Sequence, residues 1–377
     1  MRIAIVANTA WYISNFRLNF MRSLRAAGYE VCAISPPGEG RQALLDAGFA
    51  HYSFSMEGKS TNPLKELASV LLLRAALKDA AADIVLTHTP KGNIYTALAR
   101  RGLGMRQIAG VSGLGSSFIR QDWLTEVVMR LYRLTFGSMD CVFFENRSDR
   151  QHFLERGLVV PDRARSIPGL GVDLQHFAAA PLPRASESEY PVFLMVARLL
   201  GDKGVREYAQ AAAEVKRRFP RARFRLLGGL DASNPTAIGK QELDTWTADR
   251  TIDYLGQVAD VRPVLATAHC LVLPSYREGM SRTLLEGAAM GRPLIASDVP
   301  GCREAIDTGA NGWLCQARQV SSLVDAMIAA CQTPPAQLQQ MGQASRRKAE
   351  LEFSETTVTA AYLEAIAALG RNAGRAA

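Results

Sequence analysis

Several features that would decide the chemistry of this chain at once are missing from it. No Asp-x-Asp pair occurs in its 377 residues, which removes the usual metal-binding motif of one large class of sugar transferases. The six cysteines, at 32, 141, 270, 302, 315 and 331, form no close pair with metal-ligand spacing, and the five histidines are equally dispersed. Reduced thiols and no zinc site are therefore expected. No apolar run approaches the ~20 residues of a spanning helix. The longest, Ala68 to Leu77, is short and carries Arg74. The opening Met1-Arg-Ile-Ala-Ile-Val6 reads as a buried first strand rather than a signal peptide, so a soluble, cytoplasmic chain is expected. Basic residues interleaved with aromatics, the mark of nucleic-acid binding, are absent too.

The chain does carry length, apolar content and an uneven charge. With 377 residues and 48% apolar side chains it can build two ordinary cores. Its net charge is +8, and residues 1–180 hold 21 Lys/Arg against 15 Asp/Glu, so the first half supplies +6 of it. A basic first half suits anionic lipid or a phosphorylated substrate, or is merely a solvated surface.

Short apolar strands alternate with longer helical patterns throughout, which predicts parallel α/β layers. The predicted strands are Arg2–Ala7, Glu30–Ser35, Asp83–Thr87, Gln107–Val111, Cys141–Glu145, Val192–Ala197, Arg223–Gly228, Ile252–Leu255, Leu271–Pro274 and Pro293–Ser297. Among the predicted helices are Asn15–Ala27, Pro63–Ala80, Leu124–Phe136, Gly204–Arg218, Ser281–Met290 and Cys302–Ile306. A Pro-rich polar stretch, 178–191, marks a linker. The expected organisation is two Rossmann-like doubly wound domains facing across a cleft. The first covers 1–177 and the second 192–355, and a terminal helix over 356–377 crosses back to the first. Ligands belong at the carboxyl ends of the strands.

The strongest local signal is Leu273-Pro-Ser-Tyr-Arg-Glu-Gly-Met-Ser-Arg-Thr-Leu-Leu-Glu286. It combines a strand, a Glu-Gly turn, a helix start and a second Glu eight residues after the first. The turn at Gly279 should expose the Met280 and Ser281 amides at a helix N-terminus, a ready phosphate site. Glu278 and Glu286 are better placed to accept from sugar hydroxyls, although a capping Glu278 and a helix-face Glu286 would look the same. A second signal, Val196-Ala-Arg-Leu-Leu-Gly-Asp-Lys-Gly204, sets Arg198 and Lys203 at a strand's carboxyl end. Two cations there could neutralise a nucleoside diphosphate and make a metal unnecessary. Gly228-Gly229 closes the next strand and would let backbone approach a ligand.

In that order, Arg198-x4-Lys203-Gly204, Gly228-Gly229, Leu255-Gly256-Gln257-Val258 and Glu278-x7-Glu286 resemble the retaining GT-B glycosyltransferases of family 4. The resemblance covers nearly the whole chain. It implies that Arg198 and Lys203 hold a donor's diphosphate, Glu286 its ribose and Glu278 the hydroxyls of its sugar. Met280, Ser281, Thr283 and Leu284 would surround phosphates and ribose, and Val258 would frame the base. One departure touches the sugar pocket: Met280-Ser281 stands where many members carry Phe-Pro. Thr87-His-Thr-Pro-Lys-Gly-Asn93 resembles a segment of bacterial members acting on polyprenyl-linked acceptors, and there His88 would reach an outer hydroxyl of the donor sugar. Asn8–Arg17 and Val111–Ser117 resemble acceptor-side loops of one such subgroup. Arg17, Lys91, Asn93 and Trp123 are the candidates for acceptor or membrane. Asn15–Arg25 and Trp123–Arg133 read as basic amphipathic helices that suit a lipid surface or pack on their own core.

The resemblance implies transfer of one sugar, an N-acetylhexosamine, from a UDP-sugar donor to a polyprenyl-diphosphate-linked acceptor. It further implies retention of configuration, no cofactor or metal, no nucleic-acid partner, and a peripheral place on the inner face of the cytoplasmic membrane with its anionic surface. A UDP-sugar epimerase on the same scaffold and a non-catalytic binding protein are the competing readings. An epimerase needs acid/base groups at the carbon it inverts, and only Glu278 is placed for that.

Overall fold

The structure is a computed structural model and describes residues 1–56, 62–113, 123–183, 191–232 and 234–373. It divides into two compact units, Met1–Leu170 with Thr356–Ala377, and Gly171–Glu355.

The first unit is built on seven parallel strands: β1 (Arg2–Val6), β2 (Glu30–Ser35), β3 (Ala50–Ser53), β4 (Ile84–His88), β5 (Arg106–Val111), β6 (Cys141–Phe144) and β7 (Ala164–Ser166). Their order across the sheet is β3-β2-β1-β4-β5-β6-β7. Alternation sorts the side chains to two faces. Ile3 and Ile5 join one core, Ala4 and Val6 the other. The Ile3 face is covered by α1 (Ala10–Phe16), α2 (Leu18–Ala26) and α3 (Arg41–Asp46). The opposite face is covered by α4 (Pro63–Ala80), α5 (Pro90–Ala99), α6 (Trp123–Thr135) and α7 (Arg147–Glu155). Local chemistry sets these ends. The Asn62 side chain accepts from the Leu64 amide with Pro63 at the first helical position, and Ala81 closes α4 in a left-handed conformation.

The second unit has six parallel strands: β8 (Val192–Val196), β9 (Arg223–Leu227), β10 (Asp253–Tyr254), β11 (Cys270–Leu273), β12 (Leu294–Ser297) and β13 (Gly312–Cys315). Their order is β10-β9-β8-β11-β12-β13. Residues 193–195 and 270–273 are buried throughout, as strands covered on both faces must be. Around them lie α8 (Val205–Arg218), α9 (Lys240–Ala248), α10 (Arg262–Ala266), α11 (Arg282–Ala289), α12 (Val320–Gln332) and α13 (Pro335–Glu352). α8 buries Val205, Tyr208, Ala209, Ala212 and Val215 at helical spacing and ends on Lys216-Arg217-Arg218, which suit the negative end of its dipole.

In each unit the strand order reverses direction at one point, between β1 and β4 and between β8 and β11. Loops leave the sheet on opposite sides there and open a crevice at the carboxyl ends. His88 closes β4, and the Lys203 and Glu278 loops follow β8 and β11.

The predicted helix Asn15–Ala27 is two helices. The chain breaks at Arg17, with φ −125° and ψ −5°. Residues 171–177, expected in the first unit, belong to the second: Val172 and Phe177 lie in its core, and the Val172 amide donates to the Phe353 carbonyl at 2.8 Å. The start of the expected linker is fastened to the second unit, since buried Arg292 donates to the carbonyls of Ala180 and Pro181, while 184–190 lie outside the described residues. Cys302–Ile306 is a single 3-10 turn, Arg303–Ala305. The last helix, α14 (Glu355–Ala373), buries Val358, Tyr362, Ala365 and Ile366 on the Ile3 face of the first unit.

Candidate active site

In the second unit, four sequence motifs meet through their backbones. The Leu199 amide donates to the Gly229 carbonyl at 3.0 Å and the Gly228 amide to the Gly256 carbonyl at 2.8 Å. Gly228 has φ +155°, and a Cβ there would lie 1.7 Å from the Ala197 carbonyl oxygen, so no larger residue fits. The loops after β8 and β11 are tied at one carbonyl, that of Asp202. It accepts from the Tyr276 amide at 2.9 Å and the Ser275 hydroxyl at 3.2 Å. Tyr276 is held from two further directions, by its hydroxyl donating to Glu207 at 2.6 Å and by the Arg318 guanidinium 4.4 Å over its ring. Arg318 stands at φ +63°, a conformation few side-chain-bearing residues adopt.

The outcome is an ion pair between residues 75 positions apart: Lys203 Nζ donates to Glu278 Oε1 at 2.5 Å, with side-chain exposures of 23% and 14%. An ammonium has three donors. One engages Glu278 and two remain for an anion, while the second carboxylate oxygen remains for a hydroxyl. Arg198 is not drawn into this pair. Its side chain is 64% exposed and its nearest acid is Asp231, at 3.6 Å. Glu286 is 9% exposed and accepts from Arg282 Nε at 2.7 Å; burial raises its pKa, and Arg282 opposes the rise.

The turn after Glu278 differs from expectation. The Ser281 amide donates to the Gly301 carbonyl at 2.9 Å and its hydroxyl caps α11 by accepting from Leu284. Ser281 therefore offers no amide to a phosphate. The helix itself begins at Arg282, so the positive end of its dipole follows directly on this turn. Met280 and Leu284 are buried in the core, Thr283 is half-buried, and Val258 is 37% exposed.

In the first unit, Arg17 Nη2 donates to His88 Nδ1 at 2.8 Å, and the two residues are 2% and 1% exposed. Burial, and then the adjacent Arg17 charge, hold the His88 pKa well below its usual value. A neutral ring that accepts at Nδ1 carries its proton on Nε2. That Nε2 is buried and without a partner among the described residues. Burial opposes the Arg17 charge, and the Tyr12 and Tyr362 hydroxyls and Glu145 carboxylate outweigh it. Gly110 makes the room: a Cβ there would sit 2.6 Å from His88 Nδ1 and 3.3 Å from the Tyr362 hydroxyl.

These contacts correct two expectations about the acceptor side. Arg17 is interior, turned to His88 rather than to a membrane, and α2 buries Phe20, Met21 and Leu24, so Asn15–Arg25 packs on its own core. Asn93 is 2% exposed; it accepts from the Thr87 hydroxyl at 2.7 Å and donates to the Gly110 carbonyl at 2.9 Å, tying β4 to β5. Lys91 pairs with Glu66 at 2.9 Å. Helix α6 buries Tyr132, whereas the Trp123 side chain and residues 114–117 lie outside the described residues. Sequence reasoning missed the positioning roles of Tyr276 and Arg282, which lie inside the Leu273–Glu286 motif, and of Glu207 and Arg318, which lie outside every motif.

Comparison with known proteins shows the family. Residues 13–169 match the glycosyl transferase 4-like domain and residues 190–333 the glycosyl transferases group 1. The chain belongs to this glycosyltransferase family. It is 29% identical over 341 residues to the N,N′-diacetylbacillosaminyl-diphospho-undecaprenol alpha-1,3-N-acetylgalactosaminyltransferase of Campylobacter jejuni, covering 86% of this glycosyltransferase and 87% of that one. In fold it resembles the sucrose-phosphate synthase of Thermosynechococcus elongatus, with a TM-score of 0.78 at 18% identity and 100% of both chains covered. It likewise resembles Anabaena HepE in complex with UDP, with a TM-score of 0.79 at 16% identity, covering 98% of this chain and 100% of that one. The fold is thus GT-B, two Rossmann-like parallel-sheet units.

Proposed function

We propose that this glycosyltransferase moves one N-acetylhexosamine from a UDP-sugar to a polyprenyl-diphosphate-linked saccharide, with retention of configuration and without a metal ion. It would work peripherally at the inner face of the cytoplasmic membrane, in bacterial surface-glycan or glycoprotein-glycan assembly. The observation that carries the reading is the Lys203–Glu278 pair at the reversal point of the second sheet. It offers a cation for a leaving diphosphate beside an acceptor for sugar hydroxyls. The similarity to a transferase whose name specifies a diphospho-undecaprenol acceptor supports the acceptor class. Similarity to a protein solved with UDP supports the donor.

In this mechanism the bond from the anomeric carbon to the diphosphate lengthens first, leaving oxocarbenium-like charge on the sugar. Lys203, Arg198 and the first turn of α11 stabilise the leaving oxygens as they gain charge. Glu278 holds sugar hydroxyls, and no carboxylate acts as a covalent nucleophile. The leaving phosphate accepts the proton of the incoming hydroxyl, which attacks the same face. Glu286 holds the ribose, beside Gly228, Val258, Met280, Thr283 and Leu284, and His88 donates from Nε2 to a hydroxyl of a bound sugar.

The test is incubation of purified protein with a panel of UDP- and GDP-sugars, with and without polyprenyl-diphosphate-linked acceptors, in excess EDTA, with products resolved by mass. Release of UDP with one N-acetylhexosamine mass added to the lipid is expected. Conversion of the donor sugar without acceptor would overturn the proposal in favour of an epimerase, and binding without turnover would remove catalysis altogether.

A further inference from the structure

Helix α4 carries leucines and alanines on its outer side as well as on its buried side, a pattern that normally belongs to a helix covered on both. Toward the sheet it buries Leu73, Ala76, Leu77 and Ala80. Away from the sheet it turns Leu64, Leu67, Leu71 and Leu72, which are 78%, 58%, 59% and 47% exposed. The exposed Ala68 and Ala75 lie between them. At 100° per residue these positions fall on one stripe, about 16 Å long from Leu64 to Ala75. Single exposed leucines need no explanation, but four on one stripe mark an interaction surface.

Helix α6 lies on the same layer. Arg74 Nη1 donates to the Arg101 carbonyl at 2.7 Å and Arg101 Nη2 to the Leu134 carbonyl at 3.4 Å, which ties α4 to the end of α6. Leu134 at that end is 57% exposed, and Val127, two turns earlier on the helix, is 41% exposed. Among the described residues, the cations exposed around this surface are Lys65, Lys78, Arg101, Arg130 and Arg133, against the carboxylates of Asp79 and Glu126. A second copy of the chain docking here would set these cations against one another. An anionic lipid surface would attract all of them, and long basic side chains reach headgroups from beside an apolar stripe.

We infer that this face is a bilayer-docking surface, with α4 lying in the membrane plane, its leucines at the acyl boundary and the flanking cations among anionic headgroups. No helix among the described residues is long and apolar enough to cross a membrane, so the contact is interfacial. The inference rests on the lipid-linked acceptor proposed above and adds the surface by which the chain reaches it.

The experiment compares the wild-type chain, L67S/L71S/L72S and K65E/K78E for sedimentation with vesicles of phosphatidylcholine and phosphatidylglycerol at 3:1, and of phosphatidylcholine alone. Transfer is measured in parallel with acceptor embedded in the anionic vesicles and with a short-prenyl, water-soluble acceptor. The leucine variant should bind anionic vesicles on the order of a hundredfold more weakly and lose transfer to embedded acceptor in proportion, keeping its rate on the soluble one. The charge variant should weaken binding about tenfold, with the difference vanishing at high salt. Unchanged vesicle binding by both variants would overturn the inference, as would a vesicle-free dimer of the wild type that the leucine variant abolishes. Absence of transfer to either acceptor, with vesicle binding still dependent on the leucines, would overturn the transferase reading and leave the docking surface standing.

Discussion

His88 provides the sharpest physical test of the first unit, because its ring sits neutral at the end of β4 with Arg17 donating to Nδ1 at 2.8 Å. In the unfolded chain a histidine takes up a proton near pH 6.5. In the folded chain burial and the Arg17 charge depress that pKa, so below pH 6.5 the unfolded state binds more protons. Stability from this group is fully present above pH 6.5 and is lost as pH falls toward the folded value. With His88 still neutral at pH 5.5, the loss between pH 8 and pH 5.5 is about 1.4 kcal/mol. His88→Asn isolates it, since an Asn carbonyl can take the place of Nδ1 as acceptor for Arg17 but does not titrate. The assay is urea unfolding of both proteins at half-unit steps from pH 8 to pH 5.5. The two should differ least at pH 8 and diverge in favour of the variant by about 1.4 kcal/mol at the acid end. Parallel profiles would mean that folded His88 protonates as freely as an unfolded one, and the assignment of its proton to Nε2 would fall. Transfer activity supplies the second arm: H88N lacks Nε2 and should be nearly inactive, whereas H88Q, whose amide reaches toward the Nε2 position, should recover part of the rate.

Lys203→Met leaves Glu278 without its cation and removes a donor to the leaving diphosphate, so kcat/KM should fall by about 10²- to 10³-fold; a loss under tenfold would take Lys203 out of the mechanism. Gly228→Ala should abolish UDP binding measured by calorimetry, because its Cβ would overlap the Ala197 carbonyl at 1.7 Å and force the β8 loop aside. Arg292→Met strips donors from the carbonyls of Ala268, Met290, Ala180 and Pro181, and should cost about 3–5 kcal/mol in urea unfolding of the second unit; a cost below 1 kcal/mol would show water replacing the guanidinium.

Much of the architecture was legible where burial is two-sided. β2 and α4 occur with the predicted limits, and the other central strands within a residue or two. The strands that escaped prediction are β3, β7 and β13, all at sheet edges. Edge strands are short and exposed on one side, so Ala50-His-Tyr-Ser53 presents no apolar run to read. Helices α9 and α13 escaped because they bury few side chains among many polar ones. In the candidate site, motif order points to Lys203 and Glu278, but their pairing follows from the adjacency of β8 and β11, which spacing along the chain does not encode. Arg17 was misread for the same reason: a cation among Phe16, Leu18 and Phe20 looks like a membrane face until β4 brings His88 beside it.

The last helix has a consequence for the order of folding. Ile3, Ile5, Phe20 and Phe143 share their core with Val358, Tyr362 and Ile366, so the first unit completes that core only with residues that follow the second unit in the chain. The second unit runs uninterrupted from Gly171 to Glu355 and needs nothing after it. The order of closure is therefore inverted relative to the sequence: the second core needs no residue beyond Glu355, while the first waits for the residues after it. A chain cut before residue 356 would keep a complete second unit joined to a sheet with one apolar face uncovered, a natural client for a chaperone.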